Sequence, residues 1–559
     1  MKHPYLEGNF YPQHEELSDA PCTVIEGTVP ECLKGGMYIR NGSNPLHVVE
    51  GMSYHWFDGD GQLHAVRIEG EKVVYTNKFV QTVKYKLEKH LGMPSVTSIA
   101  DLLGPLSTKM VAKLTRSAAL YQLAIGSPGD VMTRTNTANT ALVYHDGRLL
   151  ALMEQGPATH MLMPTLETAG VFDYHGAAPR FTAHPKVDPR TGQMFFFSID
   201  APVSVSNFSW PLIKYYTVSS TGTLTTPRGI DIPLRFPIMM HDFVVTEKHA
   251  VVWDHPLVFS LPGGTTTGSR PAEVLSWRPE LGTRIGVFPR SQHGSVLSEQ
   301  VRWFNVDTCA VIHTATGWEE KEGGEVVLVA PRATTFDLRA MAGVEGASIG
   351  EIGQLHMWRL CLKTGKVDER SLDTTLSADF PVTNSNYACR RARYVYEGVA
   401  AGEGSIKIGG IVKFDLDAAT SNPTPQLLSG EKLADRKVIK YPPGVYGGEA
   451  VFVPRKTSLS GTEEVEDDGF LVVFVRNEEA ETSELHVYDA KSMDAKPVAR
   501  ITLPHRVPFG FHGLWVTQEQ IEKQRSADVE TVKKSGTKPI PNMGVVTRSL
   551  ARLIGVLSK

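Results

Sequence analysis

Short apolar runs separated by turn-forming residues recur along most of this chain. The runs Ala141–Tyr144 and Leu149–Met153 flank His145–Arg148, whose Asp-Gly pair is a strong signal for a tight β-hairpin. Asp58-Gly59 is a second such signal. Further strand pairs are predicted at 181–198, 241–260, 301–330, 352–375, 393–415, 447–475 and 484–503. Strand pairs that return every few dozen residues predict an all-β fold built as a propeller of repeated blades.

Two segments interrupt the β pattern. Between about residues 88 and 128, apolar residues such as Ile99, Leu102 and Leu106 recur at helical spacing. This helical insertion is interpreted either as a cap on one face of the core or as an apolar lid that dips into a membrane at a substrate entrance. An extension from about 517 to 559 ends in Gly544–Lys559, a basic amphipathic helix that packs on the domain or attaches to an anionic membrane surface.

Composition narrows the class of protein. The 57 Lys and Arg residues against 61 Asp and Glu give a net charge of −4 without a dominant basic stripe, which argues against a nucleic-acid partner. Five cysteines without a Cys-x-x-Cys pair fit reduced thiols. Neither a signal peptide nor an apolar run of about 18 residues is recognisable. We expect one domain over residues 1–559 in a cytoplasmic protein, with peripheral membrane contact left open.

Four histidines stand in apolar, strand-like surroundings: His184, His241, His313 and His512. A single histidine of this kind is usually a hydrogen-bonded core residue. The inner strands of a propeller all point at one axis, however, so four histidines from different blades are compatible with one metal ion. Neutral imidazoles suit iron, zinc or copper.

Three carboxylates also lie in apolar or tight backbone surroundings: Glu154, Asp379 and Glu449. A buried carboxylate needs a hydrogen-bond donor, and the second ring nitrogen of a metal-binding histidine is one. Backbone amides or an arginine are the alternative donors. The residues alone leave these two interpretations open.

Several motifs, in this order along the chain, closely resemble the carotenoid cleavage oxygenase family. They cover about residues 20 to 516 and comprise Arg40-Asn41-Gly42, His55–Gly61, Asn139–Leu142, Thr182–Pro189, Met239–Phe243, Glu466–Gly469, Asp489-Ala490 and Phe509–Gly513.

The resemblance implies a seven-bladed β-propeller, with a helical cap on one face and one non-haem Fe(II) on its axis. The family's four iron ligands match His184, His241, His313 and His512. The family's glutamates that contact the iron-binding histidines match Glu154 and Glu449. The third matches Asp379, a position at which most members carry glutamate. The family's threonine beside an open iron position matches Thr140.

The implied reaction is cleavage of a carbon–carbon double bond by O2 to give two carbonyl products. Family members act on carotenoids, apocarotenoids, or stilbenes and related phenolic alkenes. The phenolic-alkene branch carries a lysine where this chain has Met153, so an apolar substrate is expected and Met153 is assigned to its pocket. We therefore predict a carotenoid or apocarotenoid cleavage dioxygenase.

Four alternatives remain at this point. A stilbene- or phenylpropenoid-cleaving dioxygenase would use the same iron site. Isomerase-type chemistry would place no oxygen from O2 in the products. A metal-free propeller would act as an interaction scaffold, and a calcium-dependent hydrolase would need carboxylate and asparagine ligands on the axis.

Overall fold

A computed structural model gives the fold of most of the chain. The described residues are 3–49, 52–94, 99–103, 117, 119, 135–200, 212–259, 275–291, 300–350, 352–402, 404–417, 430–432, 434–455 and 465–526.

Apart from one separate two-stranded hairpin, the described strands, numbered in chain order, form seven antiparallel sheets that are the blades of a propeller. Blade 1 contains β1 (Ala20–Pro21), β3 (Met37–Asn44), β4 (Asp60–Glu69), β5 (Lys72–Phe79) and β33 (Gly513–Val516). Blade 7 contains β2 (Thr23–Gly27), β28 (Val445–Tyr446), β29 (Val451–Pro454), β30 (Gly469–Asn477), β31 (Thr482–Asp489) and β32 (Ala499–Thr502).

The five blades between them are continuous in sequence. Blade 2 is β6 (Ala141–His145), β7 (Arg148–Leu152), β8 (Ala158–Leu162) and β9 (Glu167–Phe172), and blade 3 is β10 (Lys186–Val187), β11 (Met194–Asp200), β12 (Leu212–Val218) and β13 (Ile230–Pro233). Blade 4 is β14 (Val244–Val245), β15 (His249–Asp254), β18 (Thr283–Pro289) and β19 (Arg302–Val306), with a separate hairpin of β16 (Leu257–Phe259) and β17 (Leu275–Trp277). Blade 5 is β20 (Thr316–Glu320), β21 (Glu325–Arg332), β22 (Gln354–Cys361) and β23 (Val367–Ser371), and blade 6 is β24 (Ala378–Val382), β25 (Tyr394–Ala400), β26 (Ile408–Asp415) and β27 (Asp435–Lys440). The predicted seven-bladed all-β fold is confirmed.

Strands from both ends of the chain close the ring. In blade 1, β33 pairs with β3, so that Met37 faces Val516. In blade 7, β2 pairs with β32, so that Thr23 faces Thr502. Closure therefore depends on backbone hydrogen bonds between segments that are far apart in sequence.

Apolar layers between neighbouring blades form the core. Between blades 3 and 4, for example, Phe197, Tyr215, Phe243 and Val252 are buried in one cluster. Both faces of most blades are covered, so central strands such as β21 are buried along nearly their whole length. This explains why the strands of the sequence include continuous apolar runs as well as runs in which apolar and polar residues alternate.

One Asp-Gly signal forms a hairpin and the other does not. Asp146 and Gly147 have φ of 48° and 71° and join β6 to β7, as predicted. Asp58 instead belongs to a short 3-10 turn, Trp56–Asp58, in which the Asp58 carboxylate accepts the N–H of His55 at 2.9 Å. The preceding strand β3 ends at Asn44 and its partner β4 starts only at Asp60, so a longer loop joins the two strands instead of a two-residue turn.

The helices only partly follow the predicted insertion. Helix α1 (Val83–Leu91) starts earlier than residue 88 and ends at Gly92, and helix α2 (Ile99–Leu102) follows it. Most of the rest of the predicted 88–128 insertion lies outside the described residues, as does the predicted helix at 544–559. Helix α3 (Gln518–Glu522) follows β33. Among the helices of the described ranges, none has the length and apolar character needed to cross a bilayer.

Candidate metal centre

One edge strand of each blade starts close to a residue that the sequence singled out. His512 directly precedes β33, Thr140 directly precedes β6, and Asp379 is the second residue of β24. The other four lie two or three positions before the first residue of a strand: His184 before β10, His241 before β14, His313 before β20 and Glu449 before β29. The histidines therefore sit in short loops, not within strands as their apolar neighbours had suggested.

The four histidines meet at one point. Their ligand nitrogens all lie within 4.8 Å of one another, and His313 and His512 are buried while His184 and His241 are half-buried. The Nε2 atoms of His184 and His241 are 2.9 Å apart. Two nitrogen lone pairs at this separation repel each other unless a proton or a cation lies between them, so the arrangement fits a shared metal ion.

Carboxylates hold the opposite ring nitrogen of three of these histidines. The Nδ1 of His512 lies 2.8 Å from Glu449 and that of His313 lies 2.9 Å from Asp379. The Nδ1 of His241 lies 3.1 Å from Glu154. A donor Nδ1–H leaves the lone pair on Nε2, the nitrogen that faces the centre of the cluster. His184 differs, because no carboxylate of the described residues contacts its ring.

Asp379 reaches His313 although its side chain is one methylene shorter than glutamate. The backbone turns sharply after it, since Phe380 has φ of 59° and donates its N–H to Asp379 Oδ1 at 2.7 Å. The Phe380 ring then stacks on His313, with centroids 5.0 Å apart. Sequence reasoning missed Phe380, and only its position beside Asp379 could have suggested it.

Burial sets the protonation of the cluster. Burial lowers the pKa of His184 well below its ordinary value, and the surrounding imidazoles lower it further. Burial also lowers the pKa of His512, although Glu449 opposes the shift. For His313, burial acts to lower the pKa, but Asp379 outweighs it and the pKa is raised. His184 and His512 are thus held as neutral imidazoles, the form that binds metal ions.

Thr140 and Met153 have different neighbours. Thr140 accepts the N–H of His512 on its carbonyl at 3.3 Å and donates its hydroxyl to Asn139 at 2.9 Å. Met153 is buried, and its sulfur accepts the N–H of Thr137 at 3.3 Å. Thr140 is therefore joined directly to the cluster, whereas the Met153 sulfur is occupied by a backbone contact.

A cavity of about 720 Å³ lies among the inner strands and reaches His184, His512 and Glu449. Its wall combines apolar residues such as Ala141 and Val451 with polar ones. Two of the four histidines therefore face an open space.

A propeller that brings four imidazoles together on its axis, three of them backed by carboxylates, defines a protein with a candidate non-haem metal centre. Comparison with known proteins is more specific. The family model described as retinal pigment epithelial membrane protein matches residues 10–517. This chain belongs to that family, the carotenoid cleavage oxygenases.

Plant proteins are among the similar sequences. Carotenoid 9,10(9',10')-cleavage dioxygenase 1 of Phaseolus vulgaris is 37% identical over 539 residues, which cover 94% of this chain and 91% of that protein. Carotenoid 9,10(9',10')-cleavage dioxygenase of Crocus sativus is 37% identical, over 93% of this chain and 90% of that protein.

Solved structures share the fold. Lignostilbene dioxygenase of Pseudomonas brassicacearum superposes with a TM-score of 0.72 at 23% identity, over 92% of this chain and 98% of that chain. A variant of Synechocystis apocarotenoid oxygenase superposes with a TM-score of 0.70 at 24% identity, over 90% of this chain and 97% of that chain.

Proposed function

We propose that this protein is an Fe(II)-dependent dioxygenase that cleaves a carbon–carbon double bond of a carotenoid or apocarotenoid with O2, giving two carbonyl products. The observation that carries the proposal is the cluster of four histidine nitrogens within 4.8 Å, in a chain 37% identical to plant carotenoid 9,10-cleavage dioxygenases. One Fe(II) per chain would be held by His184, His241, His313 and His512.

The donor set supports a transition metal such as iron, zinc or copper. Four imidazoles that bind in their neutral form would cancel none of the charge of a divalent ion, and four ligands would leave positions open for further ones. Iron bound here would supply activation of O2. Calcium, which an axial hydrolase site would require, prefers oxygen ligands.

The protein's own residues act by holding and orienting. Glu154, Asp379 and Glu449 each fix one imidazole with Nδ1 as the donor, so that Nε2 faces inward. Phe380 restrains the His313 ring by stacking. We assign Thr140 to the open side of the centre, beside His512, where its backbone contact holds it. No side-chain acid or base is needed for O2 to add across a double bond.

An apolar substrate is supported by the relatives and by the surroundings of the cap. Buried and partly buried apolar residues, among them Leu103, Phe57 and Met239, form one cluster on the side of α2. The partly buried members Phe57 and Met239 still expose apolar area, and a polyene that covered it would gain affinity in proportion to the area removed from water.

Metal analysis and product analysis of one preparation test the proposal. Protein purified without oxygen should contain about one iron per chain, and incubation with β-apo-carotenals under 18O2 should yield shorter aldehydes that carry the label. His241→Ala should lose iron and cleavage together. His486→Ala is the matched control, because His486 is also buried against a carboxylate, Glu484 at 2.8 Å, but lies outside the cluster.

Each alternative has its own result. Turnover of resveratrol-like alkenes without turnover of apocarotenals would support a stilbene cleaver. Products without label would indicate isomerase-type chemistry. Wild-type protein that binds no iron even after reconstitution would leave the scaffold interpretation.

We propose a cytoplasmic location. Peripheral membrane contact is a second proposal, because it would suit a substrate dissolved in lipid. It rests on the basic amphipathic pattern at residues 544–559. Deleting these residues should weaken binding to anionic liposomes, and unchanged binding would remove the segment from the proposal.

A further inference from the structure

The buried side chain of Asp242, which directly follows His241, accepts hydrogen bonds from several loops. Its Oδ2 accepts both the backbone N–H and the hydroxyl of Thr314, each at 2.8 Å. Its Oδ1 lies 2.7 Å from the Lys186 ammonium and also accepts the N–H of Phe243 at 2.7 Å. The Asp242 side chain is 2% exposed, so both oxygens are fully committed within the protein.

Two of these partners lie next to two other histidines, one in the strand that follows its histidine and one in a loop. Lys186 lies two residues after His184 in blade 3, and Thr314 directly follows His313 in blade 5. Asp242 itself belongs to the loop of His241 in blade 4. One carboxylate thus joins the histidine loops of three consecutive blades.

The strands next to these loops give them little support. Inner strands β10 and β14 contain two residues each, so few ladder hydrogen bonds anchor His184 and His241. Other contacts also join these loops. The Thr182 hydroxyl accepts the N–H of His184 at 3.1 Å and donates to the carbonyl of His241 at 3.3 Å. The Thr314 hydroxyl lies 3.1 Å from the Phe243 carbonyl and 3.4 Å from the Lys186 ammonium. Thr182 reaches only two of the three loops.

We propose that Asp242, with Lys186 and Thr314, is a positioning residue that sets the spacing of His184, His241 and His313 and thereby the affinity of the metal centre. The inference rests on the proposed four-histidine site but assigns a role to residues that bind neither metal nor substrate. A shift of one loop moves its imidazole relative to the other two, and loss of such outer contacts typically lowers metal affinity about 10- to 100-fold.

Asp242→Asn is the direct test, because it keeps the shape but removes the charge and one acceptor oxygen. Its new NH2 group must face either Lys186 or Thr314, both of which are donors. Asp373→Asn is a closely matched control. Asp373 is also fully buried and accepts the N–H and hydroxyl of one threonine, Thr375, at 2.7 and 2.6 Å, together with a basic side chain, Arg436. It lies between the outer strands of blades 5 and 6, away from the cluster.

The measurements are made on full-length apo-protein. Co²⁺ affinity is determined by chelator competition, the visible Co²⁺ absorption reports ligand geometry, and thermal unfolding of the apo form reports stability. We expect Asp242→Asn to bind Co²⁺ about 10- to 100-fold more weakly with an altered spectrum. Asp373→Asn should lower stability but keep the wild-type affinity and spectrum.

Lys186→Met covers the case in which Asp242→Asn does not fold, since Lys186 is partly exposed and its removal leaves Asp242 three donors. It should also weaken Co²⁺ binding and change the spectrum. Wild-type affinity and spectrum in Lys186→Met and in any folded Asp242→Asn would overturn the inference. Wild-type protein that binds no metal would instead overturn the proposed function.

Discussion

Replacement of Glu449 by glutamine isolates what a carboxylate contributes behind a metal-binding histidine. Glu449 accepts the His512 Nδ1–H at 2.8 Å and the Gly513 N–H at 2.7 Å, one on each oxygen. Glutamine has one acceptor oxygen, so its NH2 group must face one of these two donors. A buried donor left without an acceptor costs about 1–3 kcal/mol.

The effect on the metal is of similar size. If His512 is no longer held with Nδ1 as donor, metal affinity should fall about 10- to 100-fold, which corresponds to roughly 1.4–2.8 kcal/mol. Glu397→Gln is the matched control, since Glu397 is also buried but neither of its oxygens accepts a hydrogen bond from the part of the chain that the structure describes.

Chelator competition on the apo-proteins and urea unfolding test both variants together. Glu449→Gln should lose metal affinity and stability, whereas Glu397→Gln should keep its metal affinity. Equal metal affinity in wild type and Glu449→Gln would refute the role given to the carboxylate. An equal loss in both variants would mean that burial of any glutamate near the axis matters, not its contact with His512.

Three further predictions follow from single sites. Asp379→Ala should weaken metal binding about 10- to 100-fold in chelator competition, because His313 loses its acceptor. Asp379→Glu should retain metal binding but lose about 1–3 kcal/mol of stability in urea unfolding, since a methylene is added to a buried turn. A larger loss of metal affinity in Asp379→Glu than in Asp379→Ala would contradict this. Burial raises the pKa of Glu397 well above its ordinary value of 4.5, so wild-type stability falls as pH rises from that value towards the raised pKa. Glu397→Gln lacks this loss, so its stability relative to wild type should grow as pH rises above 4.5, by up to about 1.4 kcal/mol per pH unit; a constant difference would show that the pKa of Glu397 is not raised in the folded protein. Met153→Lys should destabilise the fold by at least about 2 kcal/mol in urea unfolding, because it buries a charge and removes the sulfur that accepts the Thr137 N–H. A stable variant that cleaves phenolic alkenes would instead place residue 153 in the substrate pocket.

The pattern of residues predicted more of the fold than of its local geometry. Apolar runs with turn signals indicated the repeated strand pairs, because a blade buried on both faces requires them. The same apolar neighbours placed His241 in a strand, but it lies in a loop. The Asp242 side chain accepts the Phe243 N–H, which a strand ladder would otherwise use, and that competition between side chain and ladder is not visible in hydrophobicity.

The chemistry of the residues predicted which side chains form the site, but not which of them contact each other. Four histidines and three carboxylates could be chosen from the sequence as residues that need partners, and the family resemblance placed them in one site. Spacing could not pair His313 with Asp379, 66 positions away, or show that a left-handed Phe380 lets the shorter acid reach it.

The sequence by itself determined the propeller, its family and the residues able to bind a metal, because strand periodicity and motif chemistry are local properties of the chain. Only the tertiary structure decided how these residues meet. The distances within the histidine cluster, the partner of each carboxylate and the links from Asp242 to the neighbouring blades all depend on how seven sheets close around one axis, and contacts between blades leave no periodic trace in the chain.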